Sequence, residues 1–145
     1  MNVTLYQVAQ RYMGVTDIEG PEDHPLIQWW FSLCLRNEFG LHEKDETSWC
    51  SAAMHGFCHP LGLPMSGSAM ARSWLEVGKP VPLNQAKQGF DAVVLWRGDP
   101  KGPQGHVGLF SRLDFTTVHI LGGNQANQVN VTPFPIVRVL GVRRL

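Results

Sequence analysis

The sequence predicts an α+β fold in which helices come first and an antiparallel sheet follows. Three observations predict it. Apolar residues before about residue 80 recur at helical, three-and-four spacing. After Pro80 they gather in short β-branched or apolar runs separated by turns. The composition, 43% hydrophobic and 17% charged over 145 residues, is that of a folded chain with one ordinary core.

The helices are read in order. Leu5, Val8, Ala9, Tyr12 and Met13 line one face of a short first helix that Gly14 stops. Gly20-Pro21-Glu22-Asp23 opens the next segment, where Ile27, Trp30, Phe31, Cys34 and Leu35 form a second stripe ended by Gly40. A third helix starts near Thr47 or Ser48, both good N-caps. It runs through Trp49-Cys50-Ser51-Ala52-Ala53-Met54 toward His59, where Pro60 and Gly62 break it. Ser66-Gly67-Ser68 precedes a short fourth helix over 69–75.

The strands follow at 92–96, 106–110, 117–121 and 136–142, with a Gly- and Pro-rich loop over 97–104 and a break at Gly122-Gly123. There is no internal repeat and no low-complexity stretch. One domain is expected over 1–145, with 1–44 as helical support and 45–145 as the core that carries the chemistry.

Charge and cysteine usage narrow the function. A formal net charge of zero argues against a nucleic-acid partner, and Arg143-Arg144 is too short for a basic tail. No run is apolar and long enough to insert in a membrane. The opening Met1-Asn2-Val3-Thr4-Leu5-Tyr6 lacks the features of a signal peptide, so synthesis in a cytoplasm is expected. Three cysteines make no disulfide framework; they are free thiols, metal ligands or a nucleophile. Asn2-Val3-Thr4 and Asn130-Val131-Thr132 match the glycosylation pattern, which is common by chance.

Cys50 falls in the first turn of the third helix. Unpaired N–H groups and the helix dipole favour a thiolate there, and the thiolate is the nucleophilic form. A small buried core thiol is the other reading of the position. Of the six histidines, His55 points roughly 140° away from Cys50 on the same helix. His59 reads as exposed, and His24 and His42 sit in polar connections. His119 faces opposite to Val118 and Ile120. His106 opens the strand Gly105-His106-Val107-Gly108-Leu109-Phe110, where glycines admit a close neighbour and the strand holds the ring rigidly, as a general base requires. Asn124, in Leu121-Gly122-Gly123-Asn124-Gln125, ends the next strand and reads either as a turn asparagine or as a carboxamide able to orient the imidazole across a hairpin. Cys50, His55, Cys58 and His59 share one short helix and cannot converge on an ion, so no metal is expected.

Asp45-Glu46-Thr47-Ser48-Trp49-Cys50-Ser51-Ala52-Ala53, Ala69-Met70-Ala71-Arg72-Ser73-Trp74-Leu75, Gly105-His106-Val107-Gly108 and Gly122-Gly123-Asn124-Gln125 resemble, in order, the motif series of CHAP/NlpC-like cysteine peptidases and amidases. Many of those proteins are phage endolysins or bacterial wall hydrolases. The resemblance spans roughly 45–145. It implies a papain-like core, with Cys50 as nucleophile, His106 as base and Asn124 as orienter. Many relatives place an acidic residue or a second histidine in that third role. Asp45, Trp49, Trp74 and Gln125 are the expected substrate contacts. No cofactor is implied. The implied partner is peptidoglycan, cut by a monomer at an amide of the stem peptide or crosslink after release by a holin or a secretion machine. Two alternatives stay open: a non-catalytic wall-binding module, and a secreted toxin acting as a protein deamidase or transferase.

Overall fold

A computed structural model describes residues 2–17, 24–34 and 48–145. Helix α1 spans Leu5–Gln10. A capping box starts it: the Gln7 backbone N–H donates to Thr4 Oγ1 at 3.1 Å and the Thr4 N–H to Gln7 Oε1 at 2.9 Å. Leu5, Val8 and Ala9 are buried as expected, but Met13 lies past the helix end and is half exposed. Helix α2, Pro25–Ser32, begins with proline where no N–H is needed, and His24 Nδ1 accepts the Leu26 N–H. Ile27, Trp30 and Cys34 turn into the core; Leu35, Gly40 and the segment 20–23 lie outside the described residues.

Helix α3, Cys50–Cys58, is buried at every position, packed between α1 and α2 on one side and the sheet on the other. Small residues make this possible. A side chain at Gly56 would collide with the Trp30 indole, and one at Gly123 would meet Ala53 and Trp49. The helix begins differently from the sequence expectation. Its N-cap is Trp49, and no side chain caps it; Thr47 lies outside the described residues. A 3-10 turn over His59–Leu61 and a left-handed Gly62 end the segment, at the expected breakers. The expected fourth helix is instead a 3-10 helix, Ala71–Glu76. Ser73 there bonds back to Met70 through both its N–H and its hydroxyl, a local competitor to α-helical pairing.

The sheet contains β1 (Lys79–Val81), β2 (Asp91–Trp96), β3 (Gly105–Leu113), β4 (Thr117–Gln125), β5 (Gln128–Pro135) and β6 (Val139–Arg144). All pairings are antiparallel, in the order β1-β6-β2-β3-β4-β5. One face carries the main core with the helices, including Ala92, Val94, Val107, Leu109 and Leu121. Val93, Leu95, Phe110, Val118 and Ile120 form a smaller cluster on the other face. The mixed helix and antiparallel-sheet character agrees with the α+β expectation.

Three strand expectations are corrected. Residues 136–138 form a 3-10 turn, and the last strand begins only at Val139. Gly122-Gly123 does not end β4, which continues to Gln125. β5 is not visible in the sequence because Pro133 and Pro135 interrupt its pattern; as an edge strand it tolerates them, since their missing N–H groups owe nothing to a further strand. β4 turns into β5 through Ala126-Asn127, both with positive φ (54° and 60°), between the paired Gln125 and Gln128. No described helix is long and apolar enough to cross a membrane.

Candidate active site

The first residue of α3, Cys50, is buried against the start of β3. β3 pairs with β4 from Leu109 onward, short of His106 and Val107, and both of these residues act on the Cys50 thiol. Burial by itself would raise its pKa. A charged His106 beside the thiolate and the hydrogen bond it would then give, the Ser48 hydroxyl, and the Val107 backbone N–H outweigh this and bring it from 9.0 down to about 7. The Ser48 oxygen is 3.4 Å from Cys50 Sγ. Cys58, eight residues on in the same helix, has burial and no such compensation, which pushes its thiol up to about 12.

His106 is itself buried, with its Nε2 2.9 Å from Gln125 Oε1. The direction of that bond follows from the other end of the amide. Gln125 Nε2 lies 3.0 Å from Ile120 O, 2.8 Å from Asn130 O and 2.9 Å from Asn130 Oδ1, all acceptors. The amide nitrogen must face them, so Oε1 faces the imidazole and accepts from Nε2–H. The proton is thereby assigned to Nε2, and Nδ1 is left as the basic nitrogen on the side of the thiol, buried and with no hydrogen-bond partner in this geometry. Phe134 packs over the ring at 5.1 Å between centroids, tilted by 32°, shielding the His106–Gln125 bond from water. Asn130 is held in turn: its Nδ2 donates to Gln125 O at 2.9 Å, and Thr132 Oγ1 donates to its Oδ1 at 2.6 Å.

Gln125, expected to contact substrate, therefore occupies the position beside the ring that was expected for Asn124. Counting on from Leu109↔Leu121 would set Asn124 across from His106. The ladder stops short of that pair, the β4–β5 register shifts between Gly122 and Gln125, and Asn124 takes a left-handed backbone with φ 58°. Such a shift inverts which side chains face which way. The Asn124 amide goes instead to the Ser48 hydroxyl, at 3.0 Å. Gly122 leaves room for the Gln125 side chain to cross it; a Cβ there would stand 2.8 Å from Gln125 Oε1.

Cys50, His106 and Gln125 are brought together, whereas Trp49 and Trp74, also expected to contact substrate, are buried in the core. Trp74 is fully buried and its indole N–H donates to Ser51 Oγ at 2.9 Å. Trp49 is buried against Gly123. Asp45 lies outside the described residues, as do Glu46 and His42. His55 is buried away from the thiol: its Nε2 accepts the Gly67 N–H at 3.0 Å, so its Nδ1–H donates to Ser51 O at 2.7 Å, and burial pushes its pKa down. Its role is to tie α3 to the 66–68 segment. Sequence reasoning missed Ser48 and Asn130 as parts of the site. Ser48 reads there as a helix cap, and Asn130 only as the first residue of a glycosylation pattern.

No known protein-family profile matches this chain. No curated protein sequence matches it either.

Proposed function

We propose that this protein is a cysteine hydrolase with a papain-like core, acting on amide bonds of peptidoglycan. The observation that carries the reading is the line from Cys50 through His106 to Gln125: a thiol with a pKa near 7 beside an imidazole whose outer N–H is held by a fixed acceptor. A helix bearing the thiol and an antiparallel strand bearing the histidine are the arrangement expected of a papain-like core. The peptidoglycan substrate rests on the resemblance of the four sequence blocks to CHAP/NlpC-like enzymes.

In the proposed mechanism His106 Nδ1 takes the Cys50 proton, giving a thiolate and an imidazolium whose Nε2–H stays on Gln125. The sulfur attacks the amide carbonyl carbon, and the Cys50 backbone N–H at the start of α3 donates to the oxyanion. Collapse breaks the C–N bond while His106 gives its proton to the departing amine. Water, deprotonated by His106, then attacks the thioester, releasing the carboxylic acid and restoring the thiol. Gln125, not Asn124, is the orienting group in this scheme.

The test is whether purified protein clears a peptidoglycan suspension and whether Cys50→Ala abolishes clearing. Digests are expected to gain free amines and no reducing sugar ends, because glycosidases typically need two suitably spaced carboxyl groups around the glycosidic oxygen. Mass spectrometry of the soluble fragments locates the bond; truncated stems or split crosslinks, an endopeptidase outcome, are expected. New reducing ends without amines, or clearing by Cys50→Ala, would overturn the proposal. Ammonia release from a soluble protein with no action on walls would move the reading to a deamidase.

A further inference from the structure

We propose that Asn124 and Ser48 form a second positioning line in the site, one that ends on the sulfur of Cys50 as Gln125 ends on the ring of His106. The inference rests on Cys50 being the nucleophile. Its basis is a chain of two hydrogen bonds. Asn124 Nδ2 donates to Ser48 Oγ at 3.0 Å, and Ser48 Oγ donates to Cys50 Sγ at 3.4 Å. A hydroxyl has one proton. An amide N–H on its oxygen occupies a lone pair and leaves that proton for the sulfur, so Asn124 sets the direction in which Ser48 donates.

Three features single out this chain. Ser48 sits just before α3 yet caps nothing, so its hydroxyl is committed to the thiol rather than to the helix. Asn124 has a left-handed backbone, φ 58°, which sends its carboxamide and that of its neighbour Gln125 to different members of the pair. The sulfur is buried, so the protein itself must solvate a negative charge there. Among the described residues, the groups acting on Cys50 are His106, Ser48 and the Val107 N–H; His106 is the only titratable one. One strand end of β4 thus orients both halves of a thiolate–imidazolium pair. Asn124 and Ser48 are positioning residues and touch no substrate in this scheme.

The readout is the pH dependence of Cys50 carbamidomethylation by iodoacetamide, followed by peptide mass spectrometry on folded protein, with no wall substrate needed. In the wild type the midpoint is expected near 7. Ser48→Ala should raise it by roughly one pH unit, the worth of one hydrogen bond to a charged group. Ser48→Thr, which keeps the hydroxyl, should stay close to wild type. Asn124→Gly keeps the backbone conformation and should shift the midpoint in the same direction but less. Asn124→Asp should shift it at least as far as Ser48→Ala, because a carboxylate takes the Ser48 proton for itself. The double variant Ser48→Ala/Asn124→Gly should match Ser48→Ala, since the two act in series.

An unmoved midpoint in Ser48→Ala, or additive shifts in the double variant, would overturn the line. If Ser48→Ala does not fold, unmoved midpoints in both Asn124 variants overturn it equally. His106→Ala separates this failure from that of the proposed function. An unmoved midpoint there, together with a wild type inert on walls, removes the nucleophile assignment itself. Wall clearing by the wild type beside an unmoved Ser48→Ala removes only the second line.

Discussion

Gln125 Oε1 faces His106 Nε2 at 2.9 Å and can only accept there, because the nitrogen of the same amide is taken up by the oxygens of Ile120 and Asn130. A carboxamide normally leaves its orientation open, since its two ends differ little in size. Here three acceptors on one side remove the choice, and the histidine tautomer follows.

The first prediction concerns that bond. Gln125→Ala should lower kcat for amine release on the order of a hundredfold, through loss of ring orientation. Gln125→Glu should do no better, because a carboxylate cannot donate to Ile120 and Asn130 and repels their oxygens. Asn130→Ala should cost part of the same factor by freeing the Gln125 amide to turn. Initial rates on peptidoglycan measure all three. Full activity in Gln125→Ala would mean that another group orients the ring.

Thiol selectivity gives the second. Near pH 7.5, a choice just above the Cys50 midpoint of about 7, iodoacetamide should label Cys50 and leave Cys58, whose thiol burial pushes up to about 12. The sign of the pH dependence follows: the thiolate is the active form, so turnover should rise through about pH 7 and fall away on the acid side. Label on Cys58 at the same rate would contradict the burial that sets the two apart. The count of alkyl groups per tryptic peptide decides.

The third concerns packing of the nucleophile helix. A methyl at Gly123 would stand 2.6 Å from Ala53 Cβ and from Trp49 Cζ3, both on or beside α3 and both buried. Neither neighbour is a flexible tip. Gly123→Ala should therefore destabilise by about 1–3 kcal/mol in urea unfolding and lower turnover as well, by shifting Cys50 from β3. Wild-type stability would show that α3 can move away at no cost.

A control far from the site is the fourth. The Asp91 side chain has no exposure; it accepts two bonds from Arg144, at 2.7 and 2.8 Å, and the Lys87 N–H at 2.9 Å. It begins β2, whereas His106 pairs with Leu95 near that strand's other end. Asp91→Ala should lower stability in urea unfolding by removing the bonds that tie the start of β2 to β6 and to Lys87, while kcat at low temperature stays within about twofold of wild type. A large loss of kcat in protein that is still folded would link this end of the sheet to the chemistry.

The sequence by itself determined the helix-then-sheet order, the burial of the first helices and the two principal candidate residues. Those depend on local signals: the spacing of Leu5, Val8 and Ala9, a cysteine at a helix start, and a histidine between glycines at a strand start. Only the tertiary structure decided the partners. Whether Asn124 or Gln125 reaches His106 turns on a register shift and one left-handed residue, and a one-residue change inverts every side chain beyond it. Whether Trp74 lines a site or fills the core turns on Ser51, twenty-three residues away in the chain. Ser48 looks like a cap until its hydroxyl is seen between Asn124 and Cys50. The physical reason is common to all three. Periodicity and capping report what a segment prefers alone, whereas a hydrogen-bond partner across β4 and α3 is set by how far two distant backbones approach, and that distance is written in no local pattern.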